Sequence, residues 1–136
     1  MKPTIESLEG TVWPEPEFDS SLVQTAHALR KKPLDDLTQN DLRIAFSENV
    51  GADFLKDRVL AVLQDEPAID ATYYEGDLLL AVMRSKQFRA DEGFRKKIAA
   101  LADVALPEIS DAQTRDEIQI LQRVNQATTA NDLHPT

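Results

Sequence analysis

The sequence contains no cysteine, which removes disulfides, thiolate metal sites and a cysteine nucleophile together and gives no sign of an oxidising compartment. It has only two histidines, His27 and His134, so there is no histidine pair at metal-ligand spacing, and a catalytic triad would rest on His27 alone. Glycine occurs four times, and no Gly-rich phosphate loop, nucleophile elbow or dinucleotide fingerprint is present. No apolar run approaches the length of a membrane span, and Met1 to Gly10 has one lysine with no apolar run behind it, so neither a spanning helix nor a secretory signal is expected. The two basic patches, Arg30-Lys31-Lys32 and Arg95-Lys96-Lys97, are each one helical turn long and lack interleaved aromatics, so neither nucleic acid nor a membrane surface is an expected partner.

What is there is an ordinary soluble composition. The 136 residues are 42% hydrophobic and 29% charged, which fits one packed domain and is too apolar for a disordered chain. Helix formers fill most positions, so an all-α fold is expected, a compact bundle of about six helices. The net charge is −9, and residues 1–80 hold all of it, with sixteen acids against seven bases; residues 81–136 hold eight of each. Such a field repels nucleic acid and steers basic partners, although acidity also serves solubility alone. The cytoplasm is the expected location.

Prolines divide the chain. Residues 1–19, interrupted by Pro3, Pro14 and Pro16, read as an extended arm pinned to the body by Trp13 and Phe18. The helical domain then spans residues 20–128, and residues 129–136 form a flexible polar tail. Ser20 or Ser21 can cap a first helix with the stripe Leu22, Ala26 and Leu29, which must stop before Pro33. Thr38 and Asp41 have capping-box spacing for a second, carrying Leu42, Ala45 and Phe46, with Gly51 as its terminator. Asp53 can cap a third, bearing Leu55, Val59, Val62 and Leu63 and ending near Pro67. Tyr73 to Asp77 is turn-like and leads into Leu78 to Met83, apolar enough to be buried on most sides and read as the central helix; a strand is the alternative, disfavoured by the scarcity of β-branched residues. Phe94, Ile98, Leu101 and Ala105 mark a further helix, and Ser110 with Gln113 opens the last, which carries Ile118, Leu121 and Val124.

Few residues bear chemistry. His27 lies beside an apolar stripe, where a half-buried histidine bonded to backbone or an acid is the simpler reading. Asp35-Asp36 and Asp65-Glu66 could serve as acid and base or hold Mg²⁺, but adjacent positions diverge on a helix, and both pairs read as solvated turns. No catalytic residue, metal site or cofactor is expected.

The order of residues from Leu8 to Val82 resembles a known family. The features that carry it are Leu8-Glu9-Gly10, Trp13, the run Phe18 to Val23, His27-Ala28-Leu29-Arg30 and Lys32-Pro33-Leu34. They continue through Leu37-Thr38, Asp41-Leu42-Arg43, Asn49, Gly51, Leu55, Pro67, Tyr74 and Gly76-Asp77-Leu78-Leu79. In these residues the chain resembles the immunity proteins of bacterial contact-dependent growth-inhibition systems. It departs at Ala26, where cysteine is expected in many relatives, and in Ala52 to Arg58, which lack an expected proline. The region after Met83 matches nothing recognisable.

The resemblance implies a cytoplasmic, non-enzymatic protein that binds the C-terminal toxin domain of a large exoprotein and protects the producing cell. Such toxins are often nucleases, whose basic surfaces suit an acidic inhibitor. The shared residues Trp13, His27, Arg30, Pro33, Arg43 and Asp77 are expected to maintain the scaffold, with Arg43 paired to Asp77 or Asp41 as one device. The toxin-contacting acids are expected in linkers and helix starts: Glu15, Glu17, Asp19, Asp35, Asp36, Asp65, Glu66, Asp70 and Glu75. No nucleic acid, membrane or small-molecule partner is implied. An acidic adaptor module and a small carboxylate enzyme are the alternatives.

Overall fold

The computed structural model describes residues 2–10 and 21–132, with side chains described outside 21–23 and 124–132. The described residues form eight α-helices and no strand: α1 Ile5–Glu9, α2 Ser21–Lys31, α3 Gln39–Glu48, α4 Lys56–Asp65, α5 Asp77–Met83, α6 Lys86–Ala90, α7 Glu92–Ala105 and α8 Ala112–Asp132. Short 3-10 turns, Leu34–Asp36, Ala52–Phe54 and Leu106–Glu108, make the connections. The five-residue helices α1 and α6 are additional to the six marked by apolar spacing.

The centre of the molecule is α5. Every residue of it is buried, and it packs on α3, α6, α7 and α8, which is why its sequence shows no polar face. Each of Leu78, Leu79, Leu80, Val82 and Met83 contributes about 1.5–3 kcal/mol by leaving water. Around it, Phe46 of α3 stacks on Phe94 of α7 with ring centroids 6.2 Å apart.

The helix ends follow local chemistry. Thr38 and Asp41 form the expected reciprocal capping box on α3. That helix stops two residues before the expected terminator, because Asn49 itself adopts the left-handed conformation (φ 55°) and its N–H donates to the Ala45 carbonyl. Asp53 does not cap α4; it lies in a 3-10 turn, and its Oδ1 accepts from Gln87 Nε2 at 3.0 Å. The last helix is capped by Asp111, not Ser110: the Thr114 N–H donates to Asp111 Oδ2 at 2.9 Å. Its backbone stays helical to Asp132, through the first part of the expected tail; residues 133–136 lie outside the described residues.

Within the segment expected to be extended, Ile5–Glu9 is helical because Thr4 and Ser7 build a capping box at one end and Gly10 takes a left-handed conformation at the other. So short a helix is not stable alone, and its seat on the body accounts for it. Ile5 is fully buried against Gly51, the Pro3 carbonyl accepts from the Leu34 N–H at 2.9 Å, and Arg30 reaches back to Glu9. Trp13, Glu15, Glu17, Phe18 and Asp19 lie outside the described residues.

Candidate functional site

Three of the residues expected to hold the scaffold are tied into it. Arg30 is 1% exposed; its Nε and Nη2 donate to Glu9 Oε1 at 2.9 and 2.7 Å, and Glu6 lies 3.9 Å away. Pro33 pairs with Thr4 as an isolated bridge and leads the following 3-10 turn. Asp77 is buried at the start of α5, where Oδ1 accepts from the Ala71 N–H and Oδ2 from those of Thr72 and Tyr73, at 2.8–2.9 Å. One carboxylate thus fixes both the helix start and the loop before it. His27 is half-buried on α2.

Arg43 does not pair with either acid expected for it. Asp77 has committed its oxygens to backbone, and Asp41 accepts from Lys32 Nζ at 2.7 Å. Burial alone would raise the Asp41 carboxyl, but the Lys32 ammonium and the Thr38 N–H outweigh it and hold the group below its ordinary value. Arg43 instead donates from Nε to Thr72 Oγ1 at 2.8 Å and lies over the Tyr73 ring, 4.7 Å from its centroid. Thr72 Oγ1 in turn donates to Asn40 Oδ1.

These groups border a recess of about 250 Å³, lined by Arg43, Ser47, Tyr73, Tyr74, Asp77 and Arg84 over a floor of Phe46, Leu80 and Ala81. The volume suits one or two side chains and falls below the ~300–1,000 Å³ of small-molecule sites. Tyr73 and Arg84 face outward, 72% and 55% exposed, and Arg84 Nη2 donates to Glu117 Oε2 at 2.5 Å. Burial pushes the Tyr74 phenol up, Arg84 opposes this, and Glu117 and Asp77 add to it. Neither Tyr73 nor Arg84 stands out in sequence: the tyrosines read as turn residues, and Arg84 merely follows an apolar run.

The expected contact acids separate into two groups. Asp35 is 65% exposed yet engaged by Arg58 Nη2 at 3.0 Å. Asp36, Asp65, Glu66, Asp70 and Glu75 are exposed and have no ion pair among the described residues. Glu66 and Glu75 converge with Glu108, which the sequence reading did not single out, on a shallow recess also lined by Ala68 and Ile69. Asp70 and Glu75 pair as an isolated bridge that closes the loop between them, and the recess gathers acids from the end of α4, this loop and the turn after α7. Among the described residues no group of three or more His, Cys, Asp or Glu side chains is arranged to hold a metal ion, and no helix is long and apolar enough to cross a membrane.

The model of one protein family, described as CDI immunity proteins, matches residues 7–99. No curated protein and no solved structure matches the chain. The matched range covers more than half of the chain and extends past Met83, where recognisable motifs end, through α6 and into α7; the start of α1, the end of α7, the 3-10 turn Leu106–Glu108 and α8 lie outside it. It takes in the Arg30–Glu9 pair, the Asp77 knot and both recesses; Glu6 beside Arg30, Glu108 and the Arg84 partner Glu117 fall outside it. The chain belongs to the CDI immunity proteins, the toxin-neutralising partners of contact-dependent growth-inhibition systems.

Proposed function

We propose that this protein binds the C-terminal toxin domain of its cognate exoprotein in the cytoplasm and, without chemistry of its own, neutralises it by covering the active site of a nuclease. The family match over residues 7–99 carries this reading. The charge distribution supports the nuclease target: a nucleic-acid-cleaving domain presents a basic surface, and the acidic excess here lies within residues 1–80. Where Lys32, Lys56, Arg58 and Lys96 neutralise neighbouring acids, the chain satisfies its own charge. Glu66, Asp70, Glu75 and Glu108 carry their charge to solvent, which is the condition for steering a basic partner. Glu15, Glu17 and Asp19, outside the described residues, and Asp36 and Asp65 are proposed to extend this face; Asp35 is proposed as a contact only, since Arg58 offsets its charge.

The test is co-expression with the toxin domain encoded beside it. Survival and co-purification of a stable complex are expected, with toxin activity on nucleic acid lost in the complex. Cell death without a complex would remove the immunity reading and leave an acidic helical interaction module.

A further inference from the structure

The Arg43–Arg84 recess stands apart from the acidic surface around it. Arg43 is half-buried, and its charge meets only neutral acceptors, Thr72 Oγ1 and Asn40 Oδ1; it has no carboxylate partner among the described residues. The one carboxylate in the wall, Asp77, has both oxygens occupied by three backbone N–H groups. Arg84 lies on the same recess, with Glu117 as its only described carboxylate partner. Two guanidinium groups flanked by two tyrosines form the composition most often found at energetic centres of protein interfaces. The cavity holds about one or two side chains.

We propose that this recess receives an acidic side chain of the toxin domain, an aspartate or glutamate held between Arg43 and Arg84 with Tyr73 and Tyr74 closing over it. The proposal rests on the immunity reading. Its physical role differs from that of the acidic face. An acidic cover attracts any basic surface, whereas an arginine that no described carboxylate bonds favours a partner bearing a carboxylate at the matching place, and under any other partner it keeps only neutral acceptors. Steering and discrimination are thereby assigned to different residues.

The test measures affinity and dissociation rate of the full chain for the toxin domain encoded beside it, in wild type and in Arg84→Gln, Tyr73→Ala and Arg43→Gln. Tyr73 and Arg84 are mostly exposed, so those two variants should keep the wild-type melting temperature even if Arg43→Gln does not fold. A loss of about tenfold or more in affinity, mainly through faster dissociation, is expected. Alanine substitution of the toxin's acids should then identify one whose loss is non-additive with Arg84→Gln. Binding within twofold of wild type in the Arg84 and Tyr73 variants overturns the proposal. So does a loss coupled to no toxin carboxylate, or self-association of the isolated chain that Arg84→Gln abolishes. Failure of the wild-type chain to bind the toxin domain is a different result, and overturns the immunity reading together with the proposal.

Discussion

Gly51→Ala tests how α1 is held. A Cβ at position 51 would lie 2.5 Å from Ile5 Cγ2, 2.7 Å from Cδ1 and 2.8 Å from Cγ1. Two of these atoms are bonded directly to Ile5 Cβ, and the side chain is fully buried, so rotation cannot relieve the contact. Overpacking of this kind costs about 1–3 kcal/mol. The backbone at position 51 adds a second cost, since φ is +65° and an L side chain there loses about 1–2 kcal/mol. The single variant should therefore lose about 2–5 kcal/mol. In an Ile5→Ala background the three clashing atoms are absent, and Gly51→Ala should cost only the backbone share, about 1–2 kcal/mol. Urea unfolding of wild type, both single variants and the double variant gives the coupling directly. Additivity within about 0.5 kcal/mol would show that the two residues do not touch and would refute the seating of α1 on this turn.

Arg30→Met should lower stability by about 1–3 kcal/mol, less than for a wholly buried pair because Glu6 and Glu9 keep some access to water; an unchanged melting temperature would mean the clasp holds nothing. Asp77→Ala, which strips the acceptor from three amides, should cost about 3 kcal/mol or more and speed hydrogen exchange at Ala71, Thr72 and Tyr73, and protection retained there would contradict it. Asp41 binds its proton less readily in the folded chain, so its contribution is complete above the ordinary value of 3.8 and lost as pH falls through the lower folded value. Asp41→Asn should therefore flatten the acid limb of stability against pH, and an unchanged limb would count against the Lys32 pair. If the acidic face steers the toxin, added salt should slow association more than it hastens dissociation; a salt-independent association rate would exclude steering.

Fold and site differ in how far the sequence discloses them. Leu78 to Met83 reads as a buried helix because continuous apolarity with only one β-branched residue, Val82, favours helix over strand, and the Thr38–Asp41 box is a local event that spacing alone specifies. Asp53 fails as a cap because its partner, Gln87, is 34 residues away, and nothing in local spacing encodes such a bond. Arg43 shows the same limit more sharply. Charge arithmetic sends it to an acid, but the amides of the Ala71–Tyr73 loop take Asp77 first and leave the guanidinium a threonine and an aromatic face. Glu66 and Glu75 are singled out as candidates by their place in linkers, whereas Glu108 joins them in the recess only through folding.

A central helix buried along its whole length has a consequence for how such a protein diversifies. Because every residue of α5 is buried and only Asp77, Leu80 and Ala81 reach a recess, at its wall and floor, α5 offers a partner little more than the bottom of one pocket, and most changes in specificity leave the central strut as it is. Glu66, Tyr73, Tyr74 and Glu75 are exposed in the linker before it, so substitutions there alter the proposed recognition surface without opening a cavity in the core. Descendants matched to different toxins could thus share an interior while their exteriors drift apart.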